Sequence, residues 1–245
     1  RAGLGWLEGR EAAWSHCNNF RYHVWWHKAL MHLDQGEIDA VFHLYDTEVR
    51  RDHTDDFRDI SNGASLLMRL ELEGIDVGDR WEEMAEISER RTGDACLIFA
   101  DLHYLLALIG GGHQSAIKQL LARLHDDAKR VGSCEMMARM ANPGRSAAMG
   151  LEAFGSGDYK TAFLNLSRAR HSMQLVGGSH AQRDLFERLT IDAGIKGGFL
   201  DEAETILKER SVRRAGGLDR YASTRLDLIA ETRGGWAEAG RLPAE

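Results

Sequence analysis

The sequence predicts an all-α fold, an irregular α-α superhelix built from helical hairpins. Three observations carry that expectation. Only two prolines occur, Pro143 and Pro243. Few segments show the period-two alternation of a half-buried strand. The third observation is a recurring pattern, a glycine closing one helix with an alanine four or five residues on. It occurs as Gly36/Ala40, Gly112/Ala116, Gly157/Ala162 and Gly198/Ala203, with Gly78/Trp81 as an irregular version. Small residues there let two helices cross closely. Successive glycines lie 42, 34, 45 and 41 residues apart, mostly longer than the period of about 34 that marks tetratricopeptide helix pairs. In such an array each hairpin is expected to bury its face only against its neighbours.

Taken in order, residues 3–15 carry Leu4, Leu7 and Trp14 at helical spacing. Phe20–Gln35 shows one apolar stripe, Tyr22, Trp26, Ala29 and Leu33, the i, i+4, i+7, i+11 pattern of a buried face. Gly36 ends it, and residues 38–49 form the antiparallel partner with Val41, Leu44 and Tyr45 inward. The charged stretch 50–59 reads as a loop, followed by a helix over 60–74. Residues 78–91 open with Asp79 and Glu82, an acidic variant of the capping box. The apolar run from Cys96 stops at the triple glycine Gly110–Gly111–Gly112, because glycine accepts the left-handed conformation that terminates helices. Residues 115–131 are amphipathic, and Pro143–Gly144 punctuates the chain. Residues 145–154 pair with 159–176, residues 179–196 pair with Leu200–Arg213, and 218–232 form a last helix. The helical array is expected to be one domain over 1–233, with a flexible tail over 234–245.

Composition narrows the function. With 31 basic and 38 acidic residues the net charge is −7, so no basic stripe awaits nucleic acid and no polybasic patch awaits a membrane. Cys17, Cys96 and Cys134 stand far apart, and no Cys-x-x-Cys occurs. Neither a disulfide framework nor a zinc knuckle is supported, and a reducing, cytoplasmic setting is expected. The run over 96–108 is too short to span a bilayer. The chain opens at Arg1 without an initiator Met, as if it extended further towards the N-terminus. That end is expected to expose apolar surface and to self-associate, since terminal repeats need a polar outer face.

Four ordered blocks resemble a known family. They are His23-Val-Trp-Trp-His-Lys-Ala-Leu30 with Gly36 and Leu44-Tyr-Asp46; Ser65-Leu-Leu-Met-Arg-Leu-Glu-Leu-Glu-Gly74 with Val77-Gly-Asp-Arg-Trp81; Phe99-Ala-Asp-Leu-His103; and Gly177-Gly-Ser-His-Ala-Gln-Arg-Asp184. Together they resemble the C-terminal half of the tetratricopeptide-repeat protein 38 family, which usually has Asn at the position of Ala100. The resemblance implies a tetratricopeptide-like fold and binding of partners, and supplies no established reaction. It also implies that a preceding half would add a helix with a His-x-x-x-His pattern.

Candidate site residues come from those blocks. His23 and His27 are four apart and share a helix face, a spacing that can hold a divalent metal, but Val24 stands where a general-base glutamate would be. A third ligand would come from Asp101, His103, His180 or Asp184. The competing reading packs both imidazoles among Trp25 and Trp26. Asp101 and His103 project roughly 200° apart on a helix, so one at most faces a given pocket. Ser179 and Gln182 form a capping box. Arg183 either holds an anion at that helix start or pairs with an acid of the next helix. Asp184 is a candidate to orient an imidazole.

The expected function is therefore a binding scaffold whose concave groove takes a peptide or protein partner. The alternative is a small-ligand receptor or enzyme with a pocket of His23, Trp26, His27, Asp101, His103, Gln182, Arg183 and Asp184, taking a small anion and using a divalent metal in one version. No other cofactor, no nucleic acid and no membrane is expected.

Overall fold

Three helices are buried all the way round, and the rest of the chain is laid around them. The computed structural model describes residues 1–214 and 216–239, which are helical with no strand among them. The first region holds α1 (Ala2–Leu7), a 3-10 turn at Glu11–Ala13, α2 (Phe20–Gln35) and α3 (Ile38–Leu44), which runs into a wider π turn at Tyr45–Val49. Then follow α4 (Phe57–Leu72), α5 (Arg80–Arg90), α6 (Ile98–Gly110), α7 (Gln114–Lys129) and the short α8 (Glu135–Arg139). The last part comprises α9 (Arg145–Gly155), α10 (Tyr159–Arg170), α11 (His180–Gly197), α12 (Leu200–Arg213) and α13 (Arg220–Ala239).

The buried helices are α4, α6 and α11. For α6 the sequence reason is plain, since Ile98–Gly110 is apolar on nearly every face. The other two carry buried polar residues, among them Asn62, Ser65 and Arg69 on α4 and Arg188 and Asp192 on α11. Glycines set how near the neighbours come. A Cβ on Gly111 would stand 2.3 Å from the Ala85 methyl, and one on Gly110 equally near the Trp81 ring. In the same way Gly150 admits Leu166, and Gly155 admits Ile109. At Gly36 and Gly198 the left-handed conformation ends α2 and α11 and returns the chain.

The all-helical expectation holds; several details do not. Residues 3–15 are not one helix: α1 stops at Leu7, Gly9 is left-handed, and Trp14 is buried edge-on to Trp25. Helix α4 starts inside the expected loop because Asp56 caps it, accepting from the Arg58 N–H. No capping box forms at Asp79, whose backbone (φ −80°, ψ 2°) is not extended, so no side-chain cap is made. Helix α13 continues to Ala239, through the first part of the expected tail; residues 240–245 lie outside the described residues. Trp6 and Phe20, near the Arg1 end, are exposed.

Burial only against sequence neighbours does not describe this chain. Helix α11 packs on α4, and α13 packs on α2. Arg225 of α13 donates to the Leu72 carbonyl at the end of α4, and Arg220 pairs with Glu73 at 2.9 Å. Arg225 also forms a buried pair with Asp192 of α11, at 2.7 Å. Removing one member of such a pair strands the other charge, at a cost of about 3–5 kcal/mol. Arg225→Ala is therefore expected to lower the urea midpoint by a shift equivalent to about 3 kcal/mol or more. Arg225→Met combined with Asp192→Leu should lower it much less.

Candidate functional site

Helical spacing brings three polar faces together around one arginine. On α2, His23, Trp26 and His27 sit at i, i+3 and i+4. The His23 ring stacks on Trp26 at 5.1 Å and meets His27 edge-on at 4.7 Å. On α4, Asn62, Ser65 and Arg69 share a face, and His23 Nδ1–H donates to Asn62 Oδ1 at 3.1 Å. On α6, His103 lies one turn after Phe99 and donates Nδ1–H to the Phe99 carbonyl at 2.7 Å. The far side of the His103 ring meets Phe186 of α11 edge-on at 5.4 Å.

Arg69 is 1% exposed. Its guanidinium stands over the Trp26 ring at 5.6 Å. It donates to the Ser65 hydroxyl, to the Ser65 carbonyl at 3.2 Å and to the Ala181 carbonyl at 2.6 Å. Among the described residues no carboxylate pairs with it. Burial, reinforced by Arg188, lowers its pKa to about 9. Burial also lowers His27 to about 4, with His23 and Arg69 adding to the effect. For His103, burial outweighs the Phe99 hydrogen bond, Arg69 again opposes protonation, and the result is about 4. Both imidazoles are thus neutral at pH 7. With Nδ1–H donating, neutral His103 presents Nε2 as a bare acceptor, and that atom has no partner.

Asp101 belongs elsewhere. It projects from the other side of α6 and accepts from Arg123, which also holds Asp127 at 3.0 Å and the Thr92 carbonyl at 2.7 Å. Burial raises its pKa to about 6 despite the Arg123 charge.

The turn before α11 does what a capping box does. Ser179 Oγ accepts from the Gln182 N–H, and the Gln182 side chain accepts from the Ser179 N–H at 2.8 Å. Gly178 lies against the Phe99 ring, where a Cβ would come within 2.5 Å. Arg183 neither holds a neighbouring acid nor points away from the turn; it donates back to the Gly177 and Gly178 carbonyls. Asp184 orients no imidazole. Its oxygens accept from Arg188 at 2.9 Å and from Arg210 at 2.6 and 3.0 Å, and two guanidiniums outcompete a neutral ring for a carboxylate. Burial alone would raise the Asp184 pKa, but those charges hold it well below the usual carboxylate range.

Beside this turn, α10, α11 and α12 enclose a cleft of about 800 Å³. Leu166, Met173 and Phe186 supply apolar surface, and Arg170, Arg183, Arg210, Arg213 and Arg214 supply guanidiniums. Asp184, Glu187 and Glu209 are its carboxylates. Arg170 and Arg213 share Glu187, while Arg213 and Arg214 stay largely exposed.

The structure thus brings His23, Trp26, His27 and His103 into the surroundings of Arg69, whose other hydrogen bond reaches the first turn of α11. Gln182, Arg183 and Asp184 line that turn and the cleft, and Asp101 joins neither group. Sequence reasoning had not singled out Arg69 and Asn62, although a lone Arg and Asn seven apart in an otherwise buried stretch are a usable signal. Among the described residues no three of His, Cys, Asp and Glu stand together to hold a metal ion, and no helix is long and apolar enough to cross a membrane. No family model and no solved structure matches the chain.

The two neutral histidines give a signed pH dependence. Their folded pKa values, about 4, lie below the ordinary 6.5, so their stabilisation is complete above that value and is lost as pH falls towards 4. Asp101 acts oppositely: raised from 3.8 to about 6, it stabilises below pH 4 and loses that contribution as pH rises through 6. Two imidazoles outweigh one carboxyl, so the melting temperature should fall between pH 6.5 and 4. His103→Phe, set between Phe99 and Phe186, should flatten that slope in a melting series across the same range.

Proposed function

We propose that this chain is a helical-hairpin protein of tetratricopeptide type, akin to the tetratricopeptide-repeat protein 38 family, and that it works by binding a partner polypeptide. The cleft of α10, α11 and α12 receives an acidic segment with apolar anchors. One observation carries the reading: the exposed guanidiniums of Arg213 and Arg214 stand at the rim of a cleft with Leu166, Met173 and Phe186 in its lining. Exposed guanidiniums beside an apolar cleft steer acidic partners and fix their register. The apolar floor supplies the pocket that an anchoring side chain needs. The four sequence blocks support the family kinship, and the glycine-mediated crossings suit stacked hairpins. A cytoplasmic setting fits the three unpaired cysteines.

Display of random 12-residue peptides against the purified chain tests the proposal. Enrichment of sequences carrying Asp or Glu beside Leu, Phe or Met is expected. Arg213→Glu with Arg214→Glu should weaken those peptides at least tenfold in fluorescence anisotropy. Failure to enrich such peptides, or affinity unchanged by the double charge reversal, would overturn it.

A further inference from the structure

Arg69 stands beside an ionic cluster but outside its salt bridges. Five arginines, Arg188, Arg210, Arg214, Arg220 and Arg225, lie with five carboxylates, Asp34, Glu73, Asp184, Asp192 and Asp219. Each of the five is in a salt bridge with one of those carboxylates. Among the described residues, buried Arg69 hydrogen-bonds only to a hydroxyl and two backbone carbonyls, and Asp184 and Asp34 act on its charge from beyond salt-bridge distance. A buried guanidinium without a counter-ion costs several kcal/mol.

A second observation points the same way. On α4 itself and on the neighbouring helices α2 and α6, three buried polar atoms have no hydrogen-bond partner: Asn62 Nδ2, Trp26 Nε1 and His103 Nε2. Trp26 lies under the guanidinium, and His103 is near enough to feel its charge. Asn62 shares the α4 face of Arg69 and already spends its oxygen on His23. Two of the three atoms are N–H donors, as an anion requires, and buried orphans of this kind are rare.

We infer that Arg69, Trp26 and Asn62 form the receptor of a small monocarboxylate, which serves as the counter-ion of Arg69. A single planar guanidinium without a salt-bridge contact favours a monoanionic carboxylate over a dianionic phosphate. The indole N–H and the Asn62 amide then take up its remaining lone pairs. His103 Nε2 accepts a hydroxyl where the ligand carries one. The way in is past His23 and His27, whose rings are only partly buried. The site adjoins the peptide cleft, since Arg69 donates to the carbonyl of Ala181, a residue that also lines the cleft.

Thermal melting of the full chain at pH 7 tests it, with sodium acetate, sodium lactate, sodium phosphate and sodium chloride compared at constant ionic strength. A saturable rise in melting temperature with acetate or lactate, absent with chloride, is expected. Arg69→Met should abolish that response while melting no lower than the unliganded wild type. Trp26→Phe keeps the ring and removes the N–H, and should raise the half-saturating concentration at least fivefold. Should Arg69→Met not fold, Trp26→Phe decides. Identical melting in carboxylate and chloride, an equal response to phosphate, or a response that survives loss of the guanidinium or the indole N–H would overturn the inference.

Discussion

The architecture depends on a knot of guanidiniums around one tyrosine. The Tyr221 ring is approached by Arg188, Arg210 and Arg225 at 4.5, 5.3 and 4.6 Å. Its hydroxyl donates to Asp192 at 2.6 Å. Arg188 reaches towards Asp34 and Glu73 at the ends of α2 and α4, and Arg210 holds Asp184 and Asp219. The residues come from the first and last thirds of the chain, so the cluster fixes which distant helices meet. Buried ion pairs of this kind contribute little net stability over a well-packed apolar core. Their value here is in specifying the partner: a helix arrangement that buries one of these carboxylates without its guanidinium leaves an uncompensated charge, at a cost of about 3–5 kcal/mol.

That closure has consequences for the polar groups around α4. Because α11 lies against α4 rather than beyond a neighbouring hairpin, its first turn is brought to Arg69 and its Phe186 to His103. Burial, with Arg69 adding to it, keeps the His27 and His103 imidazoles neutral, while Arg188 and Arg210 hold the Asp184 carboxyl ionised against its burial. Burial and charge therefore separate the roles of residues that look alike in sequence. Asp184 is committed to arginines, Asp101 to Arg123 on another face, and His27 and His103 act as neutral rings.

The helical class was legible because it rests on local physics. The stripe of α2, the apolar run of α6 and the capping box at Ser179 each depend on residues within a few positions of one another. The mutual exclusion of Asp101 and His103 was legible for the same reason, as it follows from helical pitch. What was not legible depends on long-range pairing. Arg69 looks unremarkable in a leucine-rich helix until Ala181, 112 residues on, is found accepting from it. Arg225 gives no hint in sequence that it will meet Leu72 or Asp192. Nor could Arg183 be assigned, since its choice between a ligand, an acid and its own turn is settled by the carbonyls that Gly177 and Gly178 present. The cleft arginines come from three helices and form no motif.

Native-state hydrogen exchange across urea concentrations addresses the closure most directly. If the arginine–carboxylate knot joins first and last hairpins into one unit, the core amides of α4 and α11 should open together, with one free energy and one urea dependence. A chain of stacked hairpins coupled only to their sequence neighbours would behave otherwise. Exchange of α11, α12 and α13 at distinctly lower free energy, with α4 still protected, would contradict the closure.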